Sequence, residues 1–84
     1  MKGEINMLYN IFLNKEAKKD LKENNLDEKA IVDSIQEAFK DKKLLETQDI
    51  LVITEMNDKA LIIAGRKNKT TITISDIVSN VINV

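Results

Sequence analysis

Four groups of residues in this chain have types and spacing suited to chemistry. Arg66, Lys67 and Lys69 surround Asn68. Arg66 is the only arginine of the chain, and its planar fork suits a phosphate or carboxylate better than an ammonium does. These three cations are the first candidate contact for a partner or a phosphate. The plainer reading is a polar hairpin loop. Lys15, Lys18, Lys19 and Lys22 crowd one short segment. Glu16, Asp20 and Glu23 interleave with them, so a solvated face of mixed sign is the simpler account. Glu16 and Asp20 stand one helical turn apart. Two carboxylates at that spacing can approach Mg²⁺, but no third ligand or phosphate-binding loop accompanies them. Tyr9 is the only phenol, an acid or stacking group in principle and a packing residue by default.

What the composition excludes is more decisive. The chain has no histidine and no cysteine. Imidazole and thiolate catalysis, disulfides and the usual zinc sites are thereby ruled out. No catalytic residue, metal site or cofactor is expected. With 13 basic and 14 acidic side chains the net charge is −1, so no global field attracts nucleic acid or an anionic membrane. Aromatics are limited to Tyr9, Phe12 and Phe39, few stacking platforms for single-stranded nucleic acid. No apolar run approaches the length of a membrane span, and the first residues lack a signal pattern. The expected compartment is the cytoplasm, without membrane association. At 84 residues a single domain spanning 1–84 is expected, burying about 60–65% of its unfolded surface, with Met1 to Gly3 as a flexible tail.

The elements that must position these residues follow from hydrophobic period. Ile5, Met7, Tyr9, Ile11 and Leu13 alternate as a strand does. Ile5, Leu8, Tyr9 and Phe12 also fit a helix starting near Glu4, and this alternative stays open. Asn14 is an N-cap for a helix over Lys15–Asn24 with Ala17 and Leu21 inward. Asn24 and Asn25 stop it. Asp27 caps a second helix over Glu28–Lys43, whose stripe is Ile31, Ile35, Ala38 and Phe39. Strands are predicted at Ile50–Met56, Ala60–Ala64 and Thr70–Ser75, with Asn57-Asp58 and Gly65–Lys69 as turns. Ser75 or Asp76 then caps a short C-terminal helix presenting Ile77, Val78, Val81 and Ile82, the second candidate interaction surface. The predicted fold class is α+β in the order β-α-α-β-β-β-α, a helix hairpin packed on a small antiparallel sheet.

This order, and the segment from Phe12 to Leu26, resembles the RelE/ParE superfamily of toxins. There a first strand leads into an Ala-x-x-Asp-Leu helix, and Ala17-Lys18-Lys19-Asp20-Leu21 stands in that place. The segment is still more similar to an uncharacterised family related to the BrnT toxins, with Ala17, Leu21, Glu23 and Leu26 matching its pattern. The family's histidine position is Glu16, its two arginine positions are Asp20 and Asn24, and its turn glycine is Asn25. The resemblance therefore implies the fold, while ribonuclease chemistry needs cations for the phosphate and a proton carrier near neutral pKa.

The expectation is a non-catalytic protein-interaction module with a toxin-like fold, in a phage or mobile-element setting by analogy. Its partner would be another protein, antitoxin-like or a host factor, with RNA contact and a homodimer as further possibilities. The alternatives are a ribonuclease toxin of a toxin–antitoxin pair, placing RNA on Arg66, Lys67 and Lys69, and a phage-encoded inhibitor of a host defence complex.

Overall fold

Asn14 and Asp27 begin the two helices by the same device. A computed structural model describes residues 9–81. In it the Asn14 side chain accepts a hydrogen bond from the Ala17 N–H at 2.9 Å, opening α1 (Lys15–Glu23). The Asp27 carboxylate accepts from the Ala30 N–H at 3.3 Å, opening α2 (Glu28–Phe39). Each cap satisfies a donor that the first helical turn leaves without a partner. Between them, Asn25 adopts φ 56°. The Leu26 N–H then reaches the Leu21 carbonyl at 2.9 Å, and the Asn25 N–H reaches that of Lys22 at 3.3 Å. This Schellman ending places Leu26 against the core beside Leu21. The Asn24-Asn25 stop expected from sequence is thus observed, with Glu23 and not Asn24 as the last helical residue. Lys59 Nζ donates to the Asn24 carbonyl at 3.0 Å and ties this corner to the sheet.

The sheet contains β1 (Asn10–Leu13), β2 (Thr47–Met56), β3 (Lys59–Asn68) and β4 (Thr71–Val81) in the spatial order β1-β4-β3-β2. Strands β2, β3 and β4 are successive antiparallel hairpin partners, and β1 lies parallel to β4. The sheet is therefore mixed, not antiparallel throughout. The two helices return the chain to the starting end of the sheet, which permits the parallel pairing. Asn57 and Asp58, at φ 52° and 62°, form the expected two-residue turn between Met56 and Lys59.

Three expectations are corrected. First, α2 ends at Phe39 and not at Lys43. The following connection is pulled onto the sheet, with Lys67 Nζ donating to the Leu45 carbonyl at 2.6 Å and to that of Glu46 at 3.2 Å. Second, Gly65 to Asn68 belong to β3, and the turn is Lys69-Thr70, with Lys69 at φ 59°. Gly65 serves close strand approach: a Cβ there would lie 2.4 Å from the Thr73 carbonyl oxygen.

Third, the residues given to a C-terminal helix continue β4 as far as Val81. Ala64 faces Asp76 while Gly65 faces Ile74, so Ser75 is an extra residue, a bulge. The bulge advances the alternation by one. Buried Ile72 and Ile74 are followed by buried Ile77, a spacing of three that imitates a helix. Beyond it, β3 supplies ladder partners from Ala64 back to Lys59 for the rest of β4. The Ile77 N–H is satisfied by Asp20 Oδ2 of α1 at 3.1 Å.

Both helices cover one face of the sheet. Ile31 and Ile35 of α2 are fully buried with Leu61, Ile63, Ile72 and Ile74 of β3 and β4. Burying each such side chain is worth about 1.5–3 kcal/mol. Ala17 and Leu21 of α1 complete this layer. Residues 1–8 and 82–84 lie outside the described residues, and with them the strand or helix expected before Tyr9, the Met1 to Gly3 tail and Ile82. No helix among the described residues is long and apolar enough to cross a membrane.

Candidate functional site

Strand parity decides which side chains face the helices and which face away from them. Along β3, Leu61, Ile63 and Lys67 face the helices, and Ile62, Ala64 and Arg66 face away from them. The second set shares its side of the sheet with Leu51 and Ile53 of β2, Val78 of β4 and Phe12 of β1. Ile53 stands opposite Ile62, and Ile62 opposite Val78, so an apolar row crosses three strands. Leu51 lies opposite Ala64 and widens the row. Nothing in the chain's described residues covers this face. Ile53 is 71% exposed, Leu51 60%, Phe12 58% and Val78 44%. Scattered exposed aliphatics need no explanation, but here they form a contiguous cross-strand row.

The polar residues on the same face are unevenly signed. Asp49, Glu55 and Asp76 are acidic, and Arg66 is the one cation there among the described residues. Arg66 Nε lies 3.8 Å from Asp49 Oδ1, both side chains being well exposed, so the pair is a loose one. The face is an apolar row with an acidic rim.

The basic trio expected from sequence does not form a cluster. Arg66 is on the uncovered face. Lys67 points the opposite way and is buried. Its Nζ holds two carbonyls and sits 5.9 Å from the centre of the Tyr9 ring, a cation–π contact that supports the ammonium from a third side. Lys69 is in the turn, where its N–H donates to the Glu46 carbonyl at 2.7 Å. The second surface divides likewise. Ile77 faces the core, Val78 faces out and Val81 is the last residue of β4. Only Val78 of the four candidates is shown on the open face.

The remaining sequence candidates take structural positions. Asp20 is engaged with the Ile77 N–H while Glu16 is exposed. No group of three or more carboxylates, histidines or cysteines with metal-binding placement occurs among the described residues. Tyr9 is buried, and Gln36 grips its backbone through two hydrogen bonds, from Gln36 Nε2 to the Tyr9 carbonyl at 2.7 Å and from the Tyr9 N–H to Gln36 Oε1 at 3.1 Å. Gln36 had no signature in the sequence beyond lying next to core residue Ile35. Leu51, Ile53 and Ile62 were missed as surface residues for a related reason. The run Ala60 to Ala64 is continuously apolar, which reads as a strand covered on both faces or central in the sheet; β3 is central, between β4 and β2, with one face open.

In comparisons with known proteins, no family model, no curated protein and no solved structure matches this chain.

Proposed function

We propose that this chain is a non-catalytic protein-interaction module on a RelE/BrnT-like scaffold, and that it binds another protein through the uncovered sheet face. The observation that carries this reading is the exposed apolar row of Leu51, Ile53, Ile62 and Val78 inside an acidic rim. Burying one such side chain contributes about 1.5–3 kcal/mol at most, so the row can anchor a partner without any enzymatic chemistry. The rim selects a partner whose contact surface is apolar with cationic margins. It equally opposes a phosphate backbone.

The scaffold part of the reading is supported by the order β-α-α-β-β-β over Asn10–Val81 and by the inward positions of Ala17 and Leu21. Asp20 fits the Asp of the RelE/ParE Ala-x-x-Asp-Leu pattern and stands where the BrnT-related family has arginine, and it is occupied in holding the Ile77 N–H. Both interaction settings expected from sequence, a toxin-derived module and an inhibitor of a host defence complex, would use the same face.

The test has two arms. Strong expression in the native host should leave growth and total RNA unchanged; growth arrest with cleaved RNA that Arg66→Ala abolishes would establish the ribonuclease instead. Cross-linking in the same host should trap a defined protein through the open face. Val78→Asp, which adds a charge at an exposed site, should abolish that adduct while preserving the far-UV circular dichroism. An adduct unaffected by Val78→Asp would refute the assigned face.

A further inference from the structure

We propose that the free edge of β2, with the groove it forms against α2, receives an extended strand of the partner whose side chains alternate between apolar and cationic. This rests on the interaction reading above and adds the mode of binding. β2 is the terminal strand of the order β1-β4-β3-β2. One row of its backbone groups, about five of each kind in a strand of this length, therefore points away from the sheet with no strand partner among the described residues. Sheet proteins usually protect such an edge with charged side chains, lysine above all, a proline, a bulge, brevity or a covering helix or loop, and of these β2 has only the carboxylates of Asp49 and Glu55. β2 has ten residues, TQDILVITEM, with no proline and no lysine. Its pairing with β3 runs unbroken from Thr47–Asn68 to Met56–Lys59.

The edge is also accessible. Between α2 and β2 lies a groove of about 500 Å³, bordered by Asp33, Ser34 and Glu37 of the helix and Val52, Ile53 and Thr54 of the strand. A strand added here would send alternate side chains to opposite sides of the extended sheet. Those on the open side would lie beside Leu51 and Ile53 and lengthen the apolar row. Those on the other side would enter the groove, where both ionised lining residues are carboxylates. Asp33 holds Lys29 at 2.8 Å and Glu37 holds Lys40 at 2.9 Å. These hydrogen bonds raise the pKa of each lysine above its ordinary value. All four side chains are exposed, and ion pairs of this kind are weak, so an arriving lysine or arginine can share or replace those partners. A second copy of the chain fits the edge poorly. β2 carries Asp49 and Glu55 and no cation, and antiparallel self-pairing centred on Val52 would oppose Asp49 to Glu55 of the copy twice.

The experiment titrates ¹⁵N-labelled protein with a seven-residue blocked peptide alternating lysine and isoleucine. The expected result is amide shifts along Gln48–Glu55 and at Asp33, Ser34 and Glu37, with slowed hydrogen exchange at alternate β2 amides. The double substitution Asp33→Lys and Glu37→Lys should weaken binding on the order of tenfold or more. It alters only exposed positions, and circular dichroism checks its fold. A peptide with N-methylated alternate amides should bind weakly or not at all. Absence of binding, or binding indifferent to both changes, overturns the proposal. Shifts centred on Ile62 and Val78 with unprotected β2 amides overturn the edge mode while leaving the interaction reading intact. Protection of the β2 amides by self-association, without peptide, assigns the edge to a second copy and overturns it as well.

Discussion

Gly65→Ala gives the sharpest test of the reasoning about β4, because local propensity and tertiary geometry predict opposite signs. Glycine inside a strand is ordinarily a cost, and alanine should recover about 0.5–1 kcal/mol of backbone entropy. At Gly65, however, an added Cβ would stand 2.4 Å from the Thr73 carbonyl oxygen, 3.0 Å from Ile74 Cδ1 and 3.1 Å from Ile74 Cα. Two of these atoms are backbone, so no side-chain rotation relieves the contact. Restoring ordinary separation needs a movement of about 1 Å at the β3–β4 ladder. Overpacking of this kind costs about 1–3 kcal/mol, and a strained ladder hydrogen bond adds about 0.5–1.5 kcal/mol. The net expectation is a loss of about 1–3 kcal/mol, or roughly 5–20 °C in Tm for a domain of this size. Thermal unfolding followed by circular dichroism, with urea titration alongside, measures it. A Tm equal to or above that of the unaltered protein would refute the argument that Gly65 exists for close strand approach beside the bulge.

Three further outcomes are expected. Asp20→Ala leaves the Ile77 N–H at the bulge without its acceptor. It should cost about 1–3 kcal/mol and speed hydrogen exchange of the Ile77 amide more than that of Ile72. Lys67→Met keeps the stem but abandons the carbonyls of Leu45 and Glu46. A destabilisation of about 1–3 kcal/mol, with raised protease sensitivity between Lys40 and Glu46, is expected. An unchanged urea midpoint would show that Lys67 is not what holds that connection. Asn25→Ala places a Cβ residue of poor left-handed tolerance at φ 56° and should cost about 1 kcal/mol, whereas Asn25→Gly should be neutral or stabilising. Chemical denaturation separates the two.

Legibility followed the range of the physics. The caps at Asn14 and Asp27, the stop at Asn24-Asn25 and the turn at Asn57-Asp58 were readable because each depends on neighbouring residues alone. The stripes Ala17–Leu21 and Ile31–Ile35–Phe39 were readable because one helix face carries them. The parallel pairing of β1 with β4 left no local trace. The bulge at Ser75 did leave one, but in disguise. By inserting one residue it turns the strand spacing of Ile72 and Ile74 into the interval of three that precedes Ile77. A strand with a phase change and the start of a helix look the same over four or five positions.

The functional reading turned on two such errors, the turn at Gly65 to Lys69 and the helix after Ser75. With Gly65 to Lys69 read as a turn, Arg66, Lys67 and Lys69 become neighbours on one loop. Once Gly65 to Asn68 extend β3, adjacent residues must point to opposite faces, and the cations separate into a surface guanidinium and a buried ammonium. The same parity sends Ile77 inward and Val78 outward, replacing an amphipathic helix with a continuation of the open sheet face. Asp20 links the two ends of this logic. Its carboxylate, on the helix where a phosphate-binding residue would be sought, accepts the N–H of the first buried residue after the bulge. An arginine there could not accept that bond, so a cation at position 20 would leave the Ile77 N–H without its side-chain acceptor. The acidic residue on α1 is thus coupled to the strand whose Val78 completes the exposed apolar row across β2, β3 and β4.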